Sequence, residues 1–544
     1  MCGFVGYVGD KSLMTLEKSF SKIQHRGPDS TAFEDFTTRS GVFGRKKRSC
    51  VLWFHRLAIN GLSEKANQPM NLKSLSHLWL VCNGEIYNHK ELAKKYKIKT
   101  TTDSDCEIIL HLYDKIGMNK LCSLLDGVFA FCIYDSKKEA LYSARDRYGV
   151  RPSYYGLSGD GDVIIGSEIK ALSDLSKTIQ HFPPGMWWSS ETPQTFYEYF
   201  DTSYTPTRVK QSEEDVALEV RGLLTRAVEK RMMSDREVGS LLSGGLDSSL
   251  IASLASKCSD KPLKTFSIGM PGSPDLDYAC RVAEWIGSDH HVVELSRKDF
   301  LDAIEEVIYS IESYDTTTVR ASVGNYLVGK YIKENTDVKV VLNGDGSDEV
   351  CMGYLYNQFA PSDEDFFLEN LRLLREIHFF DVLRSDRSVS SHGLEARTPF
   401  LDRDFVDYYM RIPVELKRFG TDRPEKNLLR RAFSETGILP GEVLWRTKCA
   451  FSDAVSSRDL SWHKMIQQHV DALITDQEFQ KHSSRYSHCT PVLKESYYYR
   501  KVFESMFGVS SVPTIPHFWM PRWTNTSDPS ARELSTYQED EISD

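Results

Sequence analysis

Ser243-Gly244-Gly245-Leu246-Asp247-Ser248-Ser249 is the stretch on which the reading of this chain turns. Before it, Glu237-Val238-Gly239-Ser240-Leu241-Leu242 has the length and apolar character of a buried strand. After it, Leu250-Ile251-Ala252-Ser253-Leu254-Ala255 reads as the first turns of a helix. Strand, small-residue turn and helix together make an anion cradle. The paired glycines let backbone approach a phosphate, and the hydroxyls of Ser243, Ser248 and Ser249 can donate to it. The helix N-terminus adds free N–H groups and the positive end of its dipole. Asp247 would repel an anion unless a divalent cation bridges the two. The Gly-Lys ending of a Walker loop is absent, so γ-phosphate transfer is not indicated.

Outward from this turn, strands are expected at 263–268, 291–295 and 338–342, with helices at 277–286 and 305–311. That alternation implies a parallel sheet wrapped by helices, with ligands at the carboxyl ends of the strands. Three polar segments fall there: residues 243–249, Gly269, and Asn343-Gly344-Asp345-Gly346-Ser347-Asp348-Glu349. Asp348 is placed to share a magnesium ion with Asp247. Upstream, Ser212 caps a helix whose apolar face is Val216, Val220, Leu223, Leu224, Ala227 and Val228, all read as core.

The 544 residues hold 40% hydrophobic side chains, enough for packed cores in two large domains. The net charge of −10 argues against nucleic acid as a partner, and Lys46-Lys47-Arg48, the one dense basic run, reads as a solvated loop. Nothing approaches the ~18 apolar residues of a membrane span, and no secretory signal opens the chain. Eleven scattered cysteines without a C-x-x-C pair suit a reducing, cytoplasmic setting.

The N-terminal half reads differently. Apolar runs at 51–54, 78–82, 128–134 and 163–166 are expected strands, and polar motifs sit at their ends. These are Gln24-His25-Arg26-Gly27-Pro28-Asp29, His55-Arg56-Leu57-Ala58-Ile59, Asn83-Gly84-Glu85-Ile86-Tyr87-Asn88 and Ser104-Asp105-Cys106-Glu107. Removal of Met1 would make Cys2 the first residue, a nucleophile whose own α-amine, with a pKa of ~7.7–8.0, can take the thiol proton.

These N-terminal motifs, with Ser167-Glu168-Ile169-Lys170 and Phe182-Pro183-Pro184-Gly185, resemble the class II, N-terminal-nucleophile glutamine amidotransferases. The 243–249 heptad resembles the pyrophosphate loop of the ATP pyrophosphatases. Together with Tyr314-Asp315-Thr316-Thr317-Thr318-Val319-Arg320, Gly393-Leu394-Glu395-Ala396-Arg397-Thr398-Pro399-Phe400 and Trp445-Arg446-Thr447-Lys448, the chain is similar to the glutamine-hydrolysing asparagine synthetases as far as about residue 508. The resemblance implies an α+β N-terminal-nucleophile sandwich (αββα) over residues 1–200 and a linker at 201–211. An α/β parallel-sheet domain with a helical C-terminal part follows over 212–524. Residues 525–544, nearly devoid of apolar side chains, are expected to be disordered. A homodimer is implied as well.

The resemblance also assigns roles. Cys2 attacks the glutamine amide, with Asn83 and Gly84 as oxyanion donors worth ~3–4 kcal/mol each. Arg56, Leu57, Ile59, Asn60, Glu85 and Asp105 hold glutamine. Leu241, Ser243, Gly244, Gly245, Asp247, Ser248, Ser249, Ile268, Asn343 and Gly344 hold ATP. Thr317, Thr318, Arg320, Glu395 and Arg397 hold aspartate, while Asp345 and Lys448, with Arg320, serve β-aspartyl-AMP chemistry. Asp247 and Asp348 take Mg2+. Two residues depart from the family pattern in the second half: Asp345 stands where a glutamate is usual, and Asn343 replaces a serine. In the first half, Asp103 replaces a glycine. The other readings of the residues are a β-lactam synthetase-like ring former, a ligand-binding homologue without catalysis, and a glutaminase with a silent second half.

Overall fold

The computed structural model describes residues 1–37, 49–206, 212–420, 422–448, 455–457 and 460–530. The basic run at 46–48, residues 207–211 of the expected connection and the end of the tail from 531 lie outside the described residues.

Among the described residues, the first half is two six-stranded antiparallel sheets stacked face to face. The strand Gly3–Gly9 lies inside the first sheet, antiparallel to Ser49–Arg56 on one side and Val163–Gly166 on the other. All seven of its residues are buried, because both faces are covered. Phe4 and Val8 pack on Val81, Ala130 and Cys132 of the second sheet. Val5 and Tyr7 meet Leu16, Phe20 and Ile23 on the other side. Burying each large apolar side chain of this kind contributes ~1.5–3 kcal/mol. Gly6 permits the close stacking: a Cβ there would meet the Cys132 sulfur at 2.8 Å. A helical segment, Glu107–Leu124, covers the outer face of the second sheet.

Among the described residues of the second half, five strands form one parallel sheet in the order Asp289–Glu294, Lys264–Gly269, Val238–Leu241, Val340–Leu342 and Glu395–Arg397. Helices Glu213–Arg231, Leu246–Lys257, Pro274–Ile286 and Thr316–Asn335 pack around it. Ser212 caps the first of these by accepting from the Asp215 N–H at 3.1 Å, and its expected apolar face is buried throughout.

The boundary between the halves is charged and buried. Arg26 bonds Glu168 at 2.7 Å and Asp386 at 2.8 Å, and Arg387 reaches Glu168 at 2.7 Å and Glu312 at 3.0 Å. Removing one member of such a network leaves a buried charge unpaired, at a cost of ~3–5 kcal/mol.

The expectation of disorder from residue 525 needs correction up to Ser530. Asp528 and Ser530 are buried. Composition misled here because the segment docks through an ion pair, Asp528 to Arg320 at 2.7 Å, rather than through apolar burial.

Two candidate active sites

At the first site, strand pairing brings the distant N-terminal motifs together. The Cys2 N–H donates to Asn83 Oδ1 at 3.0 Å, and the Leu57 N–H points at Cys2 Sγ at 3.3 Å. Asn83 Nδ2 is buried and has no hydrogen-bond partner among the described residues. An amide donor left over beside a thiol is what a developing oxyanion requires. With Met1 in place the Cys2 thiol is pushed up to about 11, chiefly by burial.

Glu85 and Asp105 are both buried, and Glu85 lies two residues beyond Asn83 on the same strand. Burial, then the neighbouring Asp105 carboxylate, holds Glu85 well above the usual carboxylate range. Burial also raises Asp105, although the Ile86 N–H donates to it at 2.6 Å. Asn60 donates to Glu85. Two desolvated carboxyls side by side make a receptor for a cation. Arg56 donates to Asn67 Oδ1 at 2.7 Å and to the carbonyls of Gly61 and Ser63, which fixes the loop following its strand. Leu57 and Ile59 are buried on that loop, and Gly84 lies tight against the Val128 carbonyl, 2.3 Å from where a Cβ would sit.

The second site is a cavity of about 270 Å³ at the carboxyl ends of the parallel strands. Its wall includes Leu241, Ser243, Gly245, Asp247, Ser248, Ile268, Thr317, Asn343, Gly344, Asp345, Asp348 and Lys448. Gly244, with φ of +74°, turns the chain into the following helix, and a Cβ there would lie 2.5 Å from the Ala279 nitrogen. Its carbonyl accepts from Arg446, which lines the same cavity, at 3.0 Å. Ser249 is buried away from the wall, its hydroxyl without a partner among the described residues.

Asp247 and Asp348 converge on one cation, Lys426 Nζ, at 2.6 and 2.5 Å. Lys448 also bonds Asp348. These two ammonium groups outweigh burial and hold the Asp348 carboxyl well below its ordinary range. Room for Lys426 comes from Gly353, where a Cβ would fall 2.0 Å from the lysine Cε. Asp345 accepts from Arg384 at 2.9 Å, and Arg384 holds Asp381 at the same distance. Burial raises the Asp345 pKa against the pull of Arg384.

Four residues expected around aspartate are not on this wall. Thr318 gives its hydroxyl to Asp315 at 2.7 Å, as part of the helix cap. Arg320 is 4% exposed and pairs with Glu495 and Asp528. Glu395 and Arg397 occupy the edge strand that faces the first half. Arg397 bonds Glu395 at 2.8 Å and approaches Glu85 at 3.6 Å. Their strand is the last of the sheet, so its charges are drawn to the boundary and not to the strand ends. Sequence reasoning missed Lys426, Arg384 and Asp381. Lys426 follows Glu425 in a stretch without motif or periodicity, and only the fold brings it to Asp247.

A family model described as "Asparagine synthase" matches residues 219–376 and 365–517, and one described as "Glutamine amidotransferase domain" matches residues 1–209. The asparagine synthetase [glutamine-hydrolyzing] of Gallus gallus is 41% identical over 568 residues, covering 99% of each chain. The one from Homo sapiens is 40% identical over 567 residues with the same coverage. Among solved structures, an allosteric regulatory enzyme of purine biosynthesis aligns at 16% identity and a TM-score of 0.31, over 54% of this chain and 80% of its own. With both domain matches in order and identity sustained end to end, the chain belongs to the glutamine-hydrolysing asparagine synthetase family.

Proposed function

We propose that this chain converts L-aspartate to L-asparagine at the expense of ATP, with ammonia taken from glutamine. The observation that carries the reading is the convergence of Asp247 and Asp348 on one cationic point above the 243–249 turn, in a chain that also sets Cys2 beside an unpartnered Asn83 amide.

At the first site, loss of Met1 turns the Cys2 N–H into the α-amine, still held by Asn83 Oδ1. That amine takes the thiol proton, and the thiolate attacks the glutamine side-chain amide. Asn83 Nδ2 donates to the oxyanion, ammonia leaves, and water cleaves the thioester to glutamate. Glu85 and Asp105 receive the substrate ammonium, which relieves the burial strain that raises Glu85.

At the second site, a β-carboxylate oxygen of aspartate attacks the α-phosphorus of ATP and pyrophosphate leaves. Ammonia then attacks the acyl carbon and AMP leaves. Lys448 and Lys426 neutralise charge on the departing pyrophosphate. The donor set fits a magnesium ion: two carboxylates plus phosphate oxygens suffice for it. Asp247 and Asp348 would hold the ion, which supplies charge neutralisation at the phosphates. Asp345, on its short side chain, faces the same cavity and is oriented by Arg384. We further place the protein, as a homodimer, in the cytoplasm. No helix among the described residues is long and apolar enough to cross a membrane.

The test is a product assay with aspartate, Mg-ATP and amide-labelled glutamine. Labelled asparagine formed in step with AMP and pyrophosphate is the expected result. Glutamate without AMP or asparagine would refute the second half of the reading. The Cys2→Ala variant separates the sites: glutamine-driven synthesis is lost and ammonia-driven synthesis persists.

A further inference from the structure

The segment from Trp519 to Ser530 follows the helical turn Val509–Thr514 and runs along the second cavity. Trp519, Pro521 and Pro529 form part of its wall. Trp519 packs at a tilt against Tyr354 and edge-on against Tyr356, at ring distances of 5.3 and 6.0 Å, and Trp523 lies 6.3 Å from Tyr356.

Two polar ties fasten this segment to one helix, Thr316–Asn335. The Trp519 N–H donates to Asp315 Oδ1 at 2.7 Å, and Asp315 is the residue that caps the helix. Further along, Arg320 meets Asp528 in a two-pronged pair at 2.7 and 3.0 Å. Between the two ties stands Thr317, which lines the cavity and whose buried hydroxyl lacks a partner among the described residues.

The Asp528 carboxylate is built in, not merely adjacent. Besides Arg320 it accepts from the Ser530 N–H and from Gln467 Nε2, each at 2.8 Å. On the other side Arg320 is gripped by Glu495 at 2.8 and 2.6 Å. Four bonds to two carboxylates leave the guanidinium no edge turned to a ligand, and Arg320 is absent from the cavity wall.

We propose that Asp528 is a positioning residue for the synthetase reaction: through Arg320 it latches the 519–530 segment as the closing wall of the cavity, so that Arg320 serves aspartate activation by holding that wall. A closed wall matters because an acyl-adenylate exposed to water is hydrolysed, which wastes ATP without making asparagine. The inference rests on the adenylation reading of this cavity.

The test uses the full chain and the isosteric Asp528→Asn variant, with circular dichroism to establish folding. Asparagine formation is expected to fall ~10- to 100-fold, the range associated with a wall displaced by about 1 Å. The ratio of pyrophosphate released to asparagine formed is expected to rise, because the adenylate is lost to water. Asp528→Glu, which keeps the charge, should recover part of both, an effect that a purely structural contact would not show in the ratio. An unchanged rate and ratio in Asp528→Asn would overturn the proposal. So would a lower KM for aspartate at unchanged kcat, which would make Asp528 a competitor of the substrate. If the wild-type chain releases no pyrophosphate from ATP and aspartate, it is the adenylation reading that has failed.

Discussion

Arg397 Nη2, on the edge strand of the parallel sheet, lies 3.6 Å from Glu85 Oε1 in the amidotransferase half. The same guanidinium bonds Glu395 at 2.8 Å and the carbonyls of Arg231 and Met233 at 2.6 Å. One side chain of the second half thus bears on the electrostatics of a pocket in the first. Among the forces on Glu85, burial and Asp105 raise its pKa while Arg397 opposes them.

It follows that Arg397→Met removes a cation that opposes burial at Glu85, so the Glu85 pKa rises further and its hold on a substrate ammonium weakens. The KM for glutamine should rise ~10-fold or more, the equivalent of one charge-assisted hydrogen bond. Stability should drop by ~3–5 kcal/mol as the buried carboxylates lose their partner. Steady-state glutaminase kinetics on the folded variant check the first point, and an unchanged KM would remove Arg397 from the argument.

Cys2 gives a second expectation. In the chain that retains Met1, burial disfavours the thiolate and the Cys2 pKa stands at about 11, while burial lowers the Met1 amine to about 6. Once Met1 is gone, the amine is on Cys2 itself and accepts the thiol proton directly. Iodoacetamide at about pH 7.5 should therefore label Cys2 in the processed chain far faster than in any Met1-bearing fraction. Peptide mass spectrometry reads both forms in one sample. Equal labelling would be inconsistent with the α-amine acting as base.

Asp247 and Asp348 share Lys426, and that pairing has a pH signature. The Asp348 pKa is depressed in the folded chain, by Lys426 and then Lys448, against burial. Its stabilising contribution is fully present above the unfolded carboxylate value of ~3.9 and is lost as pH falls toward the folded value. In Lys426→Met, burial is less opposed and the Asp348 pKa rises. The variant should melt well below wild type at about pH 7, and the gap should narrow as pH drops through ~4. Thermal melts across that range decide it; a gap that widens in acid would contradict the assignment. Asp247→Asn should abolish ATP-dependent pyrophosphate release and leave glutaminase activity in place.

Legibility in the sequence followed the range of the interactions. Strand–turn–helix over 237–255 depends on neighbours in the chain, and the structure places Val238–Leu241 and Leu246–Lys257 there. The strand expected at 338–342 is shortened to Val340–Leu342, where pairing with neighbours decides the ends. Asp247 and Asp348 were readable because each follows a strand, and a parallel sheet collects strand ends on one side. Lys426 was not, because its partner is 179 residues away and its φ of +54° belongs to no regular element. Glu395 and Arg397 carried the correct motif but sit on an edge strand, and only the docking of the halves shows which way an edge faces. Asp528 was hidden for a different reason: an ion pair can dock a segment whose composition predicts solvent.

Asp345 carries the last expectation at the second site. Its carboxylate stands one methylene shorter than the glutamate usual in the family, yet it lines the cavity and accepts from Arg384 at 2.9 Å. Arg384 also grips Asp381 at 2.9 Å, so it is anchored and cannot follow a longer side chain freely. In Asp345→Glu the carboxylate must either advance into the cavity, nearer the reacting groups, or fold to keep the Arg384 bond. The cavity offers about 270 Å³, room enough for one more methylene. We expect asparagine formation to be preserved or raised, with the glutaminase rate untouched. Arg384→Ala, by contrast, leaves Asp345 buried without its cation, and burial then drives its pKa higher. Synthesis in that variant should fall by ~100-fold and regain some activity at higher pH, where the carboxyl ionises. A collapse in Asp345→Glu comparable to that of Arg384→Ala would show that the backbone around Gly344 and Gly346 has adapted to the shorter acid.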